Sequence, residues 1–129
     1  MIIDSSAIVA VLLVERGADR LITALKTAPS ISMSAVTLVE ASVVMARYHG
    51  DAGVRSVDRL LAQYNVGVEA VTTQRARSAR SSYLRFGKGR HPAALNFGDC
   101  FSHALATERD EPLLFVGDDF ARTDVRVTG

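Results

Sequence analysis

The sequence predicts a three-layer α/β/α sandwich with a mostly parallel central sheet, and three observations carry that expectation. Short β-branched runs alternate with longer helical stretches, a pattern that calls for right-handed crossovers and a sheet covered on both faces. Turn and cap signals at Pro29, Gly50, Gly87 to Pro92 and Asp110 to Pro112 fall between those stretches. The composition is 48% hydrophobic and 6% aromatic, without Trp, as suits a helix-rich α/β core.

The elements follow in order. Met1-Ile2-Ile3-Asp4 reads as a short strand ending in an acid, and Ala7 to Leu13 is long and apolar enough for a buried helix. A second helix is expected from Arg16 to Thr27, with Leu21, Ile22 and Leu25 at helical spacing, stopped by Pro29. Ser30 to Met33 alternates as a strand. Ser34 is a suitable N-cap for a helix from Ala35 to about His49, which Gly50 closes. Asp51 to Tyr64 predicts another amphipathic helix and Val66 to Val71 a strand. Thr72 or Thr73 can cap a polar, Arg- and Ser-rich helix from Gln74 to Phe86, and Gly87 to Pro92 is a loop. Asn96 caps a helix from Phe97 to about Arg109, Leu113 to Val116 is a strand, and Val125 to Val127 reads as a last edge strand.

At 129 residues, without internal repeats or low-complexity tracts, the expectation is one domain over residues 1–129. A domain of that size buries about two thirds of the surface of its unfolded chain. The lone Cys100 excludes an intramolecular disulfide, no secretory leader pattern opens the chain, and no apolar run approaches the roughly 20 residues that span a bilayer. A cytoplasmic protein without a membrane partner is therefore expected. The net charge of +1 hides a division, because Arg55, Arg59, Arg75, Arg77, Arg80, Arg85, Lys88 and Arg90 crowd the middle of the chain. That region can meet an anion.

Acids occupy positions where acids are unusual. Asp4 and the pair Asp118-Asp119 follow directly on strands, at the carboxyl edge where open α/β sheets bind ligands. Each has a plain alternative as a turn or cap residue. Glu40 shares a helix face with Val36, Val43, Val44 and Arg47, so its carboxylate needs a cation, either an arginine or a metal ion. Asp99 sits three residues after the cap Asn96, where the helix dipole already favours an acid. As a set, these acids from four elements suit a hard divalent cation such as Mg²⁺ or Mn²⁺. Ser5 and Ser6 are placed to orient Asp4 or a water bound to the ion. His49, His91 and His103 lack zinc-ligand spacing, Cys100 lacks a base, and no phosphate-binding glycine loop occurs.

Four segments carry a resemblance to a known family. Met1-Ile2-Ile3-Asp4-Ser5-Ser6-Ala7, Ser34 to Ala41, Leu95 to Cys100, and Phe115 to Phe120 with Thr123-Asp124-Val125 closely resemble the PIN-domain ribonuclease toxins of VapBC toxin–antitoxin systems, in order and spacing over essentially the whole chain. The resemblance implies a PIN-like fold and an Mg²⁺-dependent endoribonuclease, with Mn²⁺ able to substitute, that is neutralised by a cognate VapB-like antitoxin. It carries Asp4, Glu40 and Asp99 over as catalytic and metal-binding acids. Asp118 ranks first as the fourth acid and Asp119 is the alternative, since relatives often read Gly-Asn-Asp-Phe where this chain has Gly117-Asp118-Asp119-Phe120, and Val116 replaces the family's Thr.

The resemblance also implies a homodimer, with the antitoxin's C-terminal segment near the pocket; the helices Ala7–Leu13 and Ala35–Arg47 are candidate surfaces for it. Arg75, Arg80, Arg85, Lys88 and Arg90 are candidates for contact with the RNA backbone. Two other classes share parts of the pattern. A metal-dependent DNase or phosphatase would use the same acids, and a noncatalytic binding module would tolerate their loss.

Overall fold

The computed structural model describes residues 1–128, and Gly129, the last residue of the expected domain, lies outside them. Its centre is a four-stranded sheet in the order β3-β2-β1-β4, formed by β1 (Ile2–Ile3), β2 (Ser32–Ser34), β3 (Gly67–Glu69) and β4 (Leu113–Leu114). Every pairing is parallel, in the register Ile2 to Ser32 and Leu113, Ile3 to Leu114, and Met33 to Val68. The chain therefore winds outward from β1 through β2 to β3, then returns to place β4 on the other side of β1. That reversal opens a crevice at the carboxyl ends of β1 and β4, the general ligand position of doubly wound sheets.

Alternation along the strands separates two cores. Ile3, Met33 and Leu114 pack against Ala7, Ile8, Ala10, Leu21, Leu25 and Ala41 from α1 (Ser5–Leu12), α2 (Ala18–Thr27) and α3 (Ala35–Gln63). Ile2, Leu113 and Phe115 face the other way, onto Ala79, Leu95, Cys100, Ala104 and Leu105 of α4 (Thr73–Phe86), the following loop and α5 (Phe97–Arg109). With side chains pointing alternately to opposite faces, adjacent isoleucines in a two-residue strand serve both layers. The three-layer α/β/α class is thus the observed one.

The expected caps hold their helices. Ser34 accepts from the Val36 amide at 3.2 Å and Thr72 from the Arg75 amide at 3.1 Å. Asn96 and Asp99 form a reciprocal capping box at 2.9 and 3.0 Å. Several boundaries differ from expectation. The second helix starts at Ala18 rather than Arg16, after Gly17 turns with φ of +86°. The Val66–Val71 strand shortens to Gly67–Glu69, which pairs only with β2. Val125–Val127 forms no strand and touches the sheet by a single bridge, Val127 to Leu113, because β4 itself is only two residues long.

The helices expected on either side of Gly50 run on as α3 across a kink at His49 and Gly50, where Gly50 takes φ of +58°. The bend folds Gly53 back against the Met45 carbonyl, so closely that a methyl group at residue 53 would overlap that oxygen. Among the described residues no helix is long and apolar enough to cross a membrane.

Because the obstacle at Gly53 is backbone, it has no rotamer by which to yield. Gly53→Ala is expected to destabilise the protein by about 1–3 kcal/mol through overpacking, read as a lower urea midpoint with an unchanged slope. A midpoint within error of the wild type would show that α3 straightens freely.

Candidate active site

Strand ends and helix starts bring the acids to one crevice. Asp4 leaves β1 and caps α1, accepting the Ser6 amide on Oδ2 at 3.1 Å, and its own amide is tied to the Leu114 carbonyl at 3.0 Å. The Ser6 hydroxyl adds a second bond to Oδ2 at 2.7 Å and accepts from the Val116 amide at 3.0 Å, joining the ends of β1 and β4. Ser102 of α5 donates to Asp4 Oδ1 at 2.6 Å. The Asp4 carboxylate is thus 1% exposed yet carries three donors.

Glu40 reaches the same place from the second turn of α3. Its Oε1 accepts from Ser5 at 2.5 Å, and its carboxylate lies against Gly98, where any β-carbon would collide with it. Glycine at 98 therefore lets Glu40 approach the start of α5 and its neighbour Asp99. Asp118 and Asp119 lie on the exposed turn after β4. Of the two, Asp119 adds its negative charge to the field felt by Asp99, which favours it as the fourth member.

The electrostatics are those of crowded like charges. Burial pushes the Asp99 carboxyl up to about 7; the Asn96 amide opposes this, and Asp4, Glu40 and Asp119 push it further up. Glu40 is raised mainly by burial and also by Asp4, against the Ser5 hydrogen bond. Among the described residues none of these acids forms an ion pair with a lysine or arginine, so the arginine alternative for Glu40 does not hold. Hydroxyls and amides satisfy them instead, and among the described residues no three acids or histidines have their donor atoms drawn together in metal-holding geometry. The donor set is nevertheless all oxygen, anionic and half to fully buried, which fits a hard divalent cation.

The basic residues divide. Arg75 is committed to Glu108 at 3.0 Å, to Glu69 and to the Ala70 carbonyl, and Arg85 to Asp124 at 2.8 Å and the Phe86 ring. Arg90 donates to the Leu84 carbonyl, while Arg80 and Lys88 are exposed and outside every ion pair among the described residues. The 87–95 loop, pinned by the Gly87–Leu95 bridge, brings Lys88 and Arg90 beside the start of α5.

His103 does not enter the pocket. It is buried between Ser82 at 2.7 Å and Asp124 at 2.8 Å, and burial lowers its pKa. Cys100 packs in the core, its thiol pushed up to about 11 by desolvation. Sequence reasoning passed over Ser102 and Thr37. The faint signal for both was a hydroxyl one helical turn from a candidate acid.

Asp99 gives a direct test of the crowding. Its folded pKa lies above the ordinary 3.8, so the folded chain holds the extra proton between about pH 4 and 7 and loses stability as pH rises through that window. In metal-free buffer, Asp99→Asn, which keeps a capping oxygen, is expected to melt roughly 3–8 °C above the wild type at pH 8, with the gap closing toward pH 4. A variant melting below the wild type at pH 8 would contradict this account.

Comparison with known proteins bears on the same chain. A family profile described as PIN domain matches residues 1–126. Ribonuclease VapC42 of Mycobacterium tuberculosis is 49% identical over 127 residues, covering 98% of this chain and 97% of the relative. Ribonuclease VapC of Mycolicibacterium smegmatis is 44% identical over 125 residues, covering 97% of each. Among solved structures, M. tuberculosis VapC20, titled a sarcin-ricin loop cleaving toxin, superposes with a TM-score of 0.80 at 15% identity, covering 98% of this chain and 97% of that one. The VapBC2 complex of Rickettsia felis, bound to a promoter DNA fragment, gives 0.73 at 11% identity, covering 98% and 96%. The structural likenesses bear on the fold alone. With near-complete coverage and identities above 40%, the chain belongs to the PIN-domain family and, within it, to the VapC ribonucleases.

Proposed function

We propose that this protein is the toxin of a type II toxin–antitoxin pair, a cytoplasmic Mg²⁺-dependent endoribonuclease that accepts Mn²⁺, folded as one PIN-like domain and inhibited by a cognate VapB-like antitoxin. The observation that carries the reading is the convergence of Asp4, Glu40 and Asp99 in one crevice without a cationic side chain among them. Family membership supports ribonuclease activity, and the neighbouring toxin–antitoxin complexes support an antitoxin partner.

Asp4, Glu40 and Asp99 would hold the cation, with Asp119 ahead of Asp118 as the fourth acid. A bound divalent ion would supply positive charge against the scissile phosphate and lower the pKa of water. Glu40 has its Oε1 held by Ser5 and its proton affinity raised, so Oε2 is suited to accept the proton of an attacking water. That water's oxygen bonds to phosphorus as one P–O ester bond breaks and its leaving oxygen takes up a proton. Lys88, Arg90 and Arg80 are the basic residues best free to meet the RNA backbone, whereas Arg75 and Arg85 chiefly brace the fold.

A homodimer is also part of this reading. Tyr83 and Leu84 of α4 and Phe97 of α5 are exposed, Phe97 at 73%, around an apolar groove of about 400 Å³ that also touches Phe101 and Cys100. A second copy seated there would cover the groove and set two acidic crevices close together. Phe97→Asp is expected to shift the protein from dimer to monomer in sedimentation velocity. A wild-type monomer, or a dimeric variant, would remove this face from consideration.

The catalytic reading is tested with antitoxin-free protein on total RNA in Mg²⁺, Mn²⁺ or EDTA. Discrete cuts are expected with either ion and none with EDTA. Asp4→Asn and Asp99→Asn, checked for folding, are expected to lose at least about a hundredfold in rate, the scale of metal-assisted hydrolysis lost with a ligand. Cleavage of DNA or small phosphate esters in place of RNA would shift the assignment to another metal-dependent phosphoesterase. Equal cutting by all proteins would mark contamination and leave no support for the acids.

A further inference from the structure

Three hydroxyls and carboxylates form a chain that crosses the molecule beneath the crevice. Ser102 Oγ donates to Asp4 Oδ1 at 2.6 Å and meets Thr37 Oγ1 at 3.3 Å. Ser102 and Thr37 are both 0% exposed. A serine hydroxyl has one proton, and the shorter bond to the carboxylate claims it, so Thr37 is the donor in the second bond. The relay therefore runs from Thr37 on α3, through Ser102 on α5, to Asp4 at the end of β1.

Its placement matches the acids step for step. Thr37 lies one helical turn before Glu40, and Ser102 one turn after Asp99, so each relay hydroxyl shares a helix with one acid. The relay then joins those two helices to each other and to the third acid. At Asp4 itself, both Ser6 bonds fall on Oδ2, which fixes one point of the carboxylate and leaves it free to swing about that point. Ser102 is the one donor to Oδ1 among the described residues, and it fixes the plane.

We propose that Ser102, supported by Thr37, is a positioning residue that sets the orientation of the Asp4 carboxylate, and its distance from Glu40 and Asp99, for binding a divalent cation. This rests on the reading of the acids as a metal site. Partners that orient a ligating carboxylate weigh on metal affinity almost as the ligands do, because a ligand that must first be ordered binds less tightly. A hydroxyl that only satisfied a buried oxygen would affect folding and leave cation affinity alone.

The test is Mn²⁺ binding to metal-free, full-length protein, followed by the electron paramagnetic resonance signal of free Mn²⁺, well below each protein's melting temperature. The proteins are the wild type, Ser102→Ala, Thr37→Val, Asp4→Asn and Asp99→Asn. Ser102→Ala is expected to weaken Mn²⁺ binding by about tenfold, and Thr37→Val to weaken it less, in the same direction. Ser102→Ala binding within twofold of the wild type, while Asp4→Asn binds far more weakly, would overturn the positioning role and leave the metal site standing. A wild type that binds no better than Asp4→Asn would overturn the metal site and this inference with it. If Ser102→Ala does not fold, Thr37→Val decides, since affinity equal to the wild type would break the relay.

Discussion

Three carboxylates side by side, drawn partly out of water and unaccompanied by any lysine or arginine, are the constraint around which the rest of this molecule is arranged. Their mutual repulsion and burial show in the raised proton affinities of Asp99 and Glu40. Such an arrangement persists only if something else compensates the charge. Here the compensation is a set of short hydrogen bonds from Ser5, Ser6, Ser102 and the Asn96 amide, each from the element next to the acid it serves. The crevice therefore keeps its shape without an internal counter-ion and remains open to an external one.

The fold makes that crowding possible. Reversal of the winding direction between β3 and β4 sets β4 beside β1, so two strand ends deliver acids to one edge. The starts of α3 and α5 approach that edge from opposite layers, and Gly98 removes the one side chain that would keep Glu40 away from α5. Cap and catalytic geometry are the same geometry in two places: Asp4 caps α1 and Asp99 completes the capping box of α5. Local helix stability and the position of the acids are thereby coupled.

Outside the crevice, charge is used differently. Arg75 and Arg109 clasp Glu69 and Arg75 reaches Glu108, binding β3, α4 and α5 together. Asp124 links Arg85 to the buried His103, which holds the C-terminal segment against α4 and α5. A basic residue in this region is thus as often a brace as a contact surface, a distinction that rests on acids distant in the sequence.

Periodicity, caps and turn residues determined the fold class and most helices, because these are local properties that survive in any tertiary setting. The acids stood out in the sequence because a carboxylate in an apolar run or at a strand end demands a partner. Strand lengths were overestimated at Val66–Val71 and Val125–Val127, since pairing depends on a neighbour that hydropathy does not report. The sequence alone likewise determined which acids were candidates. Only the tertiary structure decided that Asp119 is felt by Asp99, that Arg75 and Arg85 are spoken for, and that Ser102, 98 residues from Asp4, holds its carboxylate. Hydrogen bonds and fields act through space over a few ångströms, and nothing in the linear order of residues encodes which distant side chains the fold brings within that range.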